Sequence, residues 1–507
     1  MRFSPSVVLA PLAFAFAFAF AFAFACSPGA STAGLSKDGG VDVADVDLPN
    51  PVDGAEAEDA GPPAPADWDR AVTPPTDADA AAKRTACAFK AGALPAETQG
   101  ASHPMAKAIP IDHVVVVMQE NRSFDHYFSK LREAGHADAE VAPDGFTNPD
   151  KDGKEIAPYR DTQLCIFDTA HSWGAAHAEW NGGKMDGFVK ANDGGDPIPP
   201  GGTAETVSGH RAMAYYGPSD LPFMYWAADQ FAIGDHYHCS VLTSTWTNRM
   251  YLYAATSFGR ISNKPPNTGS ALTLFDMLQM RRVSWKFYVT DSPPFAMFVS
   301  QFLRYQDAHF VPIAQFYDDA KNGTLPQVSF LDGSDGNGRG FDELQDDEHP
   351  NSVMQVGQAL LARAAKALIE SPLWPSSAMF ITYDEHGGFW DHLPPPAACP
   401  PGDFPPEGLT SPVDGGYDRY GVRVPFVVIS PWAKKGAIAH HTYDHTSITR
   451  FIEARFTLPA MSGRDANAEV PWEVFDFAAP VRTDRPSVPE VPIDLAAIAK
   501  CKAIYNK

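Results

Sequence analysis

The sequence predicts a three-layer α/β/α sandwich built on a mostly parallel central sheet, and two observations carry that reading. Short apolar runs rich in β-branched and aromatic residues recur along the chain, of the length and type that form strands buried on both faces. Stretches with helical spacing of apolar residues lie between them, and strands alternating with helices imply a parallel sheet covered on both sides.

In order, the strand candidates are Val114–Met118, Phe231–Ile233, Trp285–Val289, Gln327–Leu331, Met379–Tyr383 and Val424–Ile429. The helical patterns cover Leu221–Asp229, Thr247–Thr256, Leu272–Arg281, Asn351–Ile369 and Thr446–Phe456. Gly/Pro-rich insertions at Ala191–Gly202 and Pro394–Gly416 are long enough to shape a site rather than merely connect elements. The 507 residues, 44% apolar and 20% charged, read as one large domain over about 83–507, with its core between about 109 and 492.

The N-terminus is of another kind. Arg2 precedes an apolar Ala-Phe run ending at Ala25, which is the pattern of an export signal over 1–25. Cys26 follows directly, as at a bacterial lipoprotein processing site, so lipidation of Cys26 and a place in the cell envelope are expected, with simple secretion as the alternative. Residues 27–82 are rich in Asp, Ala, Pro and Gly with only Lys37 and Arg70 as bases, and read as a flexible tether. Of the six cysteines, five remain if Cys26 carries lipid, which allows two disulfides; a pair between Cys87 and Cys501 would join the two ends of the core.

A formal net charge of −23 excludes a nucleic-acid backbone as partner, since its phosphates would be repelled. A small phosphate ester gripped locally through a metal ion is compatible with it. The chemistry-bearing residues point that way. The run His113–Met118 breaks into Glu120-Asn121, and Met379–Tyr383 breaks into Asp384-Glu385, so two strands each end in a pair of oxygen ligands. Ligands in open α/β sheets bind beyond the carboxyl ends of strands. If the two strands are neighbours, Glu120, Asn121, Asp384 and Glu385 surround one point. Four oxygen donors without a thiolate suit one divalent cation, with Ca²⁺, Mg²⁺ or Mn²⁺ favoured over zinc.

Between these tips lies Cys239-Ser-Val-Leu-Thr243-Ser244-Thr245-Trp-Thr-Asn248-Arg249, a loop leading into a helix. A hydroxyl there faces unpaired N–H groups and the positive end of the helix dipole, a setting for attack on phosphorus. His171, His177, His349, His392 and His445, taken as a set, are candidates for binding phosphoryl oxygens and protonating a leaving group.

Glu120-Asn-Arg-Ser-Phe-Asp-His-Tyr-Phe128, Trp180-Asn-Gly-Gly-Lys-Met-Asp186, Thr245-x-x-Asn248-Arg249, Glu348-His-Pro350 and Tyr383-Asp-Glu-His-Gly-Gly-Phe-Trp-Asp-His392 together resemble the bacterial phosphoesterase family. Its members include non-specific phospholipases C and a class of acid phosphatases, and the likeness runs in order from about 109 to 456. The resemblance implies an alkaline-phosphatase-like fold and hydrolysis through a covalent phospho-enzyme. It matches Glu120, Asn121, Asp384 and Glu385 to metal ligands, Thr245 to the nucleophile, and His171, His349 and Asn248 to the phosphate pocket. Where family members often carry Gly-Pro-Thr-x-Pro-Asn-Arg, this chain has Thr243-Ser-Thr-Trp-Thr-Asn-Arg249, so Ser244 and Thr243 stay open as nucleophiles. The Thr nucleophile favours a phospholipase C acting on phosphatidylcholine-like lipids at a membrane surface. An acid phosphatase, or a lipid-anchored surface protein that binds without turnover, are the alternatives.

Overall fold

A computed structural model describes residues 63–505 except 195, 267–271, 337–341, 410–415, 480 and 483. The expected signal, Cys26 and most of the tether lie outside the described residues.

Eight strands form the main sheet: β1 (His113–Gln119), β2 (Ala232–Gly234), β3 (Trp285–Val289), β4 (Phe310–Pro312), β5 (Val328–Asp332), β6 (Ser377–Tyr383), β7 (Phe426–Ile429) and β8 (Ala437–Ala439). Their order across the sheet is β8-β2-β7-β6-β1-β5-β3-β4. All neighbours are parallel except at β7, which runs against both β6 and β2. The six strands read from the sequence are all present. The two it omits, β4 and β8, are the three-residue edge strands, too short to show a periodic pattern.

The helices that matter here are α1 (Trp173–Trp180), α2 (Pro222–Gln230), α3 (Thr245–Ala254), α4 (Leu274–Met280), α5 (Val299–His309), α6 (Met354–Glu370) and α7 (His445–Phe456). Alternate residues of a strand face opposite sides of its sheet. On β6 the Phe380 ring meets Phe451 of α7, with centroids 5.1 Å apart. Tyr383, of opposite parity, receives a hydrogen bond from Gln358 of α6 at 3.5 Å. Helices therefore cover both faces, which is why Val114–Val117 and Ala378–Ile381 are apolar without alternation and wholly buried.

Local signals fix the helix ends. Thr273 and Asp276 form a reciprocal cap at α4, and Asp444 and Ser447 form another at α7. The helix expected from Thr247 begins two residues earlier, which puts Thr245 in its first turn with Ser244 as the cap residue.

Ordered structure begins earlier than the sequence implied. Ala66–Asp69 and Asp77–Thr85 are helical, and Trp68 is buried in the main core, so the later part of the expected tether belongs to the fold. A single aromatic in an acidic, Pro-rich stretch was the one sign of this. At the other end the helix Leu495–Tyr505 is also fastened on, through Cys165–Cys501 and a bond from Gly201 N–H to Ile504 O at 2.8 Å.

The disulfides are Cys87–Cys399 and Cys165–Cys501, with Cα atoms 5.4 and 6.1 Å apart, rather than the expected Cys87–Cys501. Nearness of Cys87 and Cys501 to the two chain ends did not make them neighbours. Cys239 is free and buried. Among the described residues no helix is long and apolar enough to cross a membrane.

A disulfide typically contributes about 3 kcal/mol, largely by restricting the unfolded chain. Replacing Cys165 and Cys501 together by Ser should lower the melting temperature by about 3 °C, given roughly 2.1 cal/mol/K of unfolding entropy per residue. Differential scanning calorimetry checks this, and the helix Leu495–Tyr505 should become the first segment cut by protease.

Candidate active site

The parallel register of β1 and β6 pairs Gln119 with Tyr383, so the next residue on each strand, Glu120 and Asp384, emerges at the same level. The two acidic tips are thus neighbours, as the sequence required. Asn121 turns back over the sheet with φ of 62°, and its backbone N–H donates to Asp384 Oδ1 at 3.0 Å. Gly387 and Gly388 close the other side with φ of 64° and 73°. A Cβ on Gly387 would sit 2.5 Å from Asn121 O, and one on Gly388 would sit 2.4 Å from Ala170 O, so only glycine permits this approach.

Asn121, Asp384 and Glu385 are completely buried, and Glu120 nearly so. Burying like charges together is costly, and Arg249 of α3 offsets part of that cost. Its Nη2 donates to Glu120 Oε1 at 3.0 Å and to Met118 O at 3.1 Å; Nη1 donates to Asp332 Oδ1 at 3.0 Å. Its Nε lies 3.9 Å from Asp384 Oδ2. One guanidinium therefore links the tips of β1, β5 and β6. Burial, then Glu120 and Glu385, push the Asp384 carboxyl well above its ordinary range. Burial acts on Glu385 in the same sense, but His171 and His386 beside it hold it below.

Three oxygens of this cluster have no hydrogen-bond partner: Asn121 Oδ1, Asp384 Oδ2 and Glu385 Oε1. Buried polar atoms are rarely left so. Hard oxygen donors, two of them carboxylate, buried and unpartnered beside Glu120, suit a divalent cation by chemical type. By spacing, the close donor groups among the described residues are Asp168, His171 and His349, which line one cleft with Glu120, and Asp125, Asp391 and His392.

Of the strand-tip cluster, Glu120 opens on this cleft of about 550 Å³, whose lining also includes Asp168, His171, Thr245, Trp246, Asp347 and His349. Thr245 stands on this wall, 7% exposed, in the first turn of α3. His171 Nδ1–H donates to Thr169 O at 2.7 Å, while Nε2 lies 3.5 Å from Asn121 Nδ2 and 3.9 Å from Glu385 Oε1. Burial would lower the His171 pKa, but Glu385 and then Asp168 raise it to about 9. His349 Nδ1 is paired with Pro350 O, and the two imidazoles stand edge-on, 6.1 Å apart.

Glu120, Thr245, His171 and His349 thus line one cleft, and Asn121, Asp384 and Glu385 adjoin it through contacts with one another and with His171. Asn248 does not line it. That side chain is fully buried under the Val241–Ser244 loop, where Oδ1 accepts from Val241 N–H at 3.0 Å and Nδ2 donates to Thr243 O at 2.8 Å and Val241 O at 3.2 Å. Asn248 therefore shapes the loop that presents Thr245 and has no donor left for a phosphate. Arg249, its neighbour in the same motif, compensates the buried carboxylates, a role with no signal in the local sequence. Asp332 was readable by the same strand-tip rule, being the last residue of β5. Behind the cluster, Glu179 of α1 accepts from His386 Nε2 at 2.8 Å, a buried pair with no sequence signal beyond the two residue types.

A family model described as the phosphoesterase family matches residues 111–459. The chain is a member of that family. This phosphoesterase is 32% identical to phospholipase C B of Mycobacterium tuberculosis over 468 residues, covering 81% of this chain and 87% of that one. Against non-specific phospholipase C1 of Arabidopsis thaliana it is 33% identical over 421 residues, 76% of this chain and 75% of the other. Among solved structures, a protein in the alkaline phosphatase superfamily from Vibrio parahaemolyticus aligns over 80% of this phosphoesterase and 76% of its own chain, at 8% identity and a TM-score of 0.33. The fold assignment rests on the sheet order itself. The phosphoesterase is a hydrolase acting on phosphoric ester bonds.

Removing Arg249 leaves buried carboxylates uncompensated, a change that costs about 3–5 kcal/mol. Arg249→Met should accordingly lower stability by that amount in urea titration, whereas Arg249→Lys, a cation without the fork that reaches both Glu120 and Asp332, should recover only part of it.

Proposed function

We propose that this phosphoesterase is a phospholipase C that cleaves phosphatidylcholine-like phospholipids through a phospho-threonine intermediate. The observation that carries the reading is Thr245 in the first turn of a helix, on the wall of a cleft that Glu120 and His171 also line, with unpartnered oxygens on Asn121, Asp384 and Glu385, which contact those residues or each other. That both curated relatives described above are phospholipases C supports the choice of substrate.

One divalent cation, held by Glu120, Asn121, Asp384 and Glu385, would supply Lewis-acid stabilisation of phosphoryl charge and lower the pKa of a nearby hydroxyl. The chain's own residues account for the rest. Thr245 Oγ1, its hydroxyl proton released to solvent, attacks phosphorus as the bond to the diacylglycerol oxygen breaks. The departing alkoxide takes a proton from His171 or His349, both on the cleft wall, and that histidine is then reprotonated from solvent. Water then attacks the phospho-threonine, releases the phosphorylated head group and restores the Thr245 hydroxyl. The first turn of α3 offers backbone donors toward the developing charge, each worth on the order of 3 kcal/mol when well placed. Asn248 holds the loop before Thr245 and takes no part in these steps.

Two disulfides support export, because such bonds persist in oxidising compartments. We place the protein in the cell envelope, tethered through a lipid on Cys26, with the cleft available to a membrane surface.

Turnover of a soluble phosphorylcholine diester and of a simple phosphate monoester, measured side by side, tests the reading. The diester should be preferred, and Thr245→Ala should reduce its turnover by about a thousandfold or more while leaving the melting temperature unchanged. Preference for the monoester would replace the phospholipase by a phosphatase, and undiminished turnover would move the nucleophile to Ser244 or Thr243. Chelation should abolish turnover and lower the melting temperature, since a bound ion at 100 times its Kd contributes about 2.7 kcal/mol.

A further inference from the structure

The cleft wall does not end at the cleft. Pro293, Pro294, Ala296 and Met297 line it, and two residues beyond Met297 the chain enters α5. The inner side of α5 is seated on the core, with Gln301 and Tyr305 buried. Its outer side carries Val299 and Leu303, one turn apart, 53% and 61% exposed. The N-terminus of α4 stands beside α5, because Asp276 Oδ1 accepts from Tyr305 Oη at 2.7 Å and from Arg304 Nη1 at 3.3 Å. Leu272, just ahead of that terminus, is 42% exposed. The half-buried Trp246 lines the same cleft.

We propose that the outer face of α5, with Val299 and Leu303 as its anchors, is the surface by which the protein docks on a zwitterionic phospholipid bilayer, holding the cleft mouth against the lipid. The proposal rests on the phospholipase reading and deepens it.

Three observations favour a bilayer as the occupant. Val299 and Leu303 are aliphatic, exposed and continuous with the cleft wall, so inserting them brings the mouth to head-group depth. Trp246, which lines the same cleft, is the residue type favoured at the boundary between hydrocarbon and water. The exposed face of α5 also carries Arg304, already paired with Asp276, and one further charge at Asp307, so it is close to neutral on a chain of formal charge −23. A neutral face suits zwitterionic head groups, whereas the chain as a whole would be repelled by an anionic surface. A lipid on Cys26 would keep the protein near a membrane without orienting it; this face would set the orientation.

The test uses the full chain carrying Val299→Asp and Leu303→Asp, in a Cys26→Ser background so that no lipid anchor contributes. Sedimentation with phosphatidylcholine vesicles is measured with Thr245→Ala added, so that the vesicles are not consumed. Turnover of a soluble phosphorylcholine diester is measured with Thr245 intact. Vesicle partitioning should fall by about tenfold or more, the scale expected for two aliphatic side chains withdrawn from an apolar phase. Turnover of the soluble diester should remain within about twofold of the parent, since neither residue lines the cleft. Equal partitioning of variant and parent, or no binding by the parent, would overturn the docking face. So would light scattering that shows the parent self-associating and the variant monomeric, which would assign the face to a second copy of the chain. Absence of diester turnover in the parent would defeat the phospholipase reading instead, and the sedimentation result would still report on the face.

Discussion

The site exists because β1 and β6 lie side by side, parallel and in a register that pairs Gln119 with Tyr383. That alignment forces Glu120-Asn121 and Asp384-Glu385, more than 260 residues apart in sequence, to leave the sheet at one level. A slip of one residue would turn every side chain to the opposite face, so the buried Val114–Val117 and Ala378–Ile381 hold the site as firmly as they hold the core. Stability and chemistry share one constraint.

Concentrating carboxylates there is unfavourable, and the fold answers it from a different layer. Arg249, nine-tenths and more buried, comes from α3 and grips Glu120 and Asp332 together. The same helix carries Thr245 one turn earlier, so the ion pairs that balance the charge also fix where the hydroxyl stands. Asn248 completes the arrangement by tying the Val241–Ser244 loop to the helix that follows it. Three residues of one short motif thus have separate tasks: one presents a hydroxyl, one shapes the loop, one compensates the buried carboxylates.

Much of this was legible in the sequence for a physical reason. Strands buried on both faces leave uninterrupted apolar runs, and a polar pair ending such a run marks the carboxyl edge of the sheet; that logic located Glu120, Asn121, Asp384 and Glu385. What stayed hidden depends on contacts between distant segments. Nothing near Cys87 indicates Cys399, and nothing around Asn248 tells whether its amide turns toward the cleft or the loop. Trp68 lies in a stretch whose composition argues for disorder, yet it is buried against Arg281, whose guanidinium sits 5.3 Å from the ring. Composition averages over such a segment, whereas packing depends on a single side chain.

The central claim is that the joined strand tips hold one cation. The direct measurement is the anomalous difference density of a crystal grown with Mn²⁺. One peak is expected within about 2.0–2.2 Å of oxygens from Glu120, Asn121, Asp384 and Glu385. Density centred instead on Asp168, His171 and His349, or no peak at the strand tips at full Mn²⁺ saturation, would contradict it.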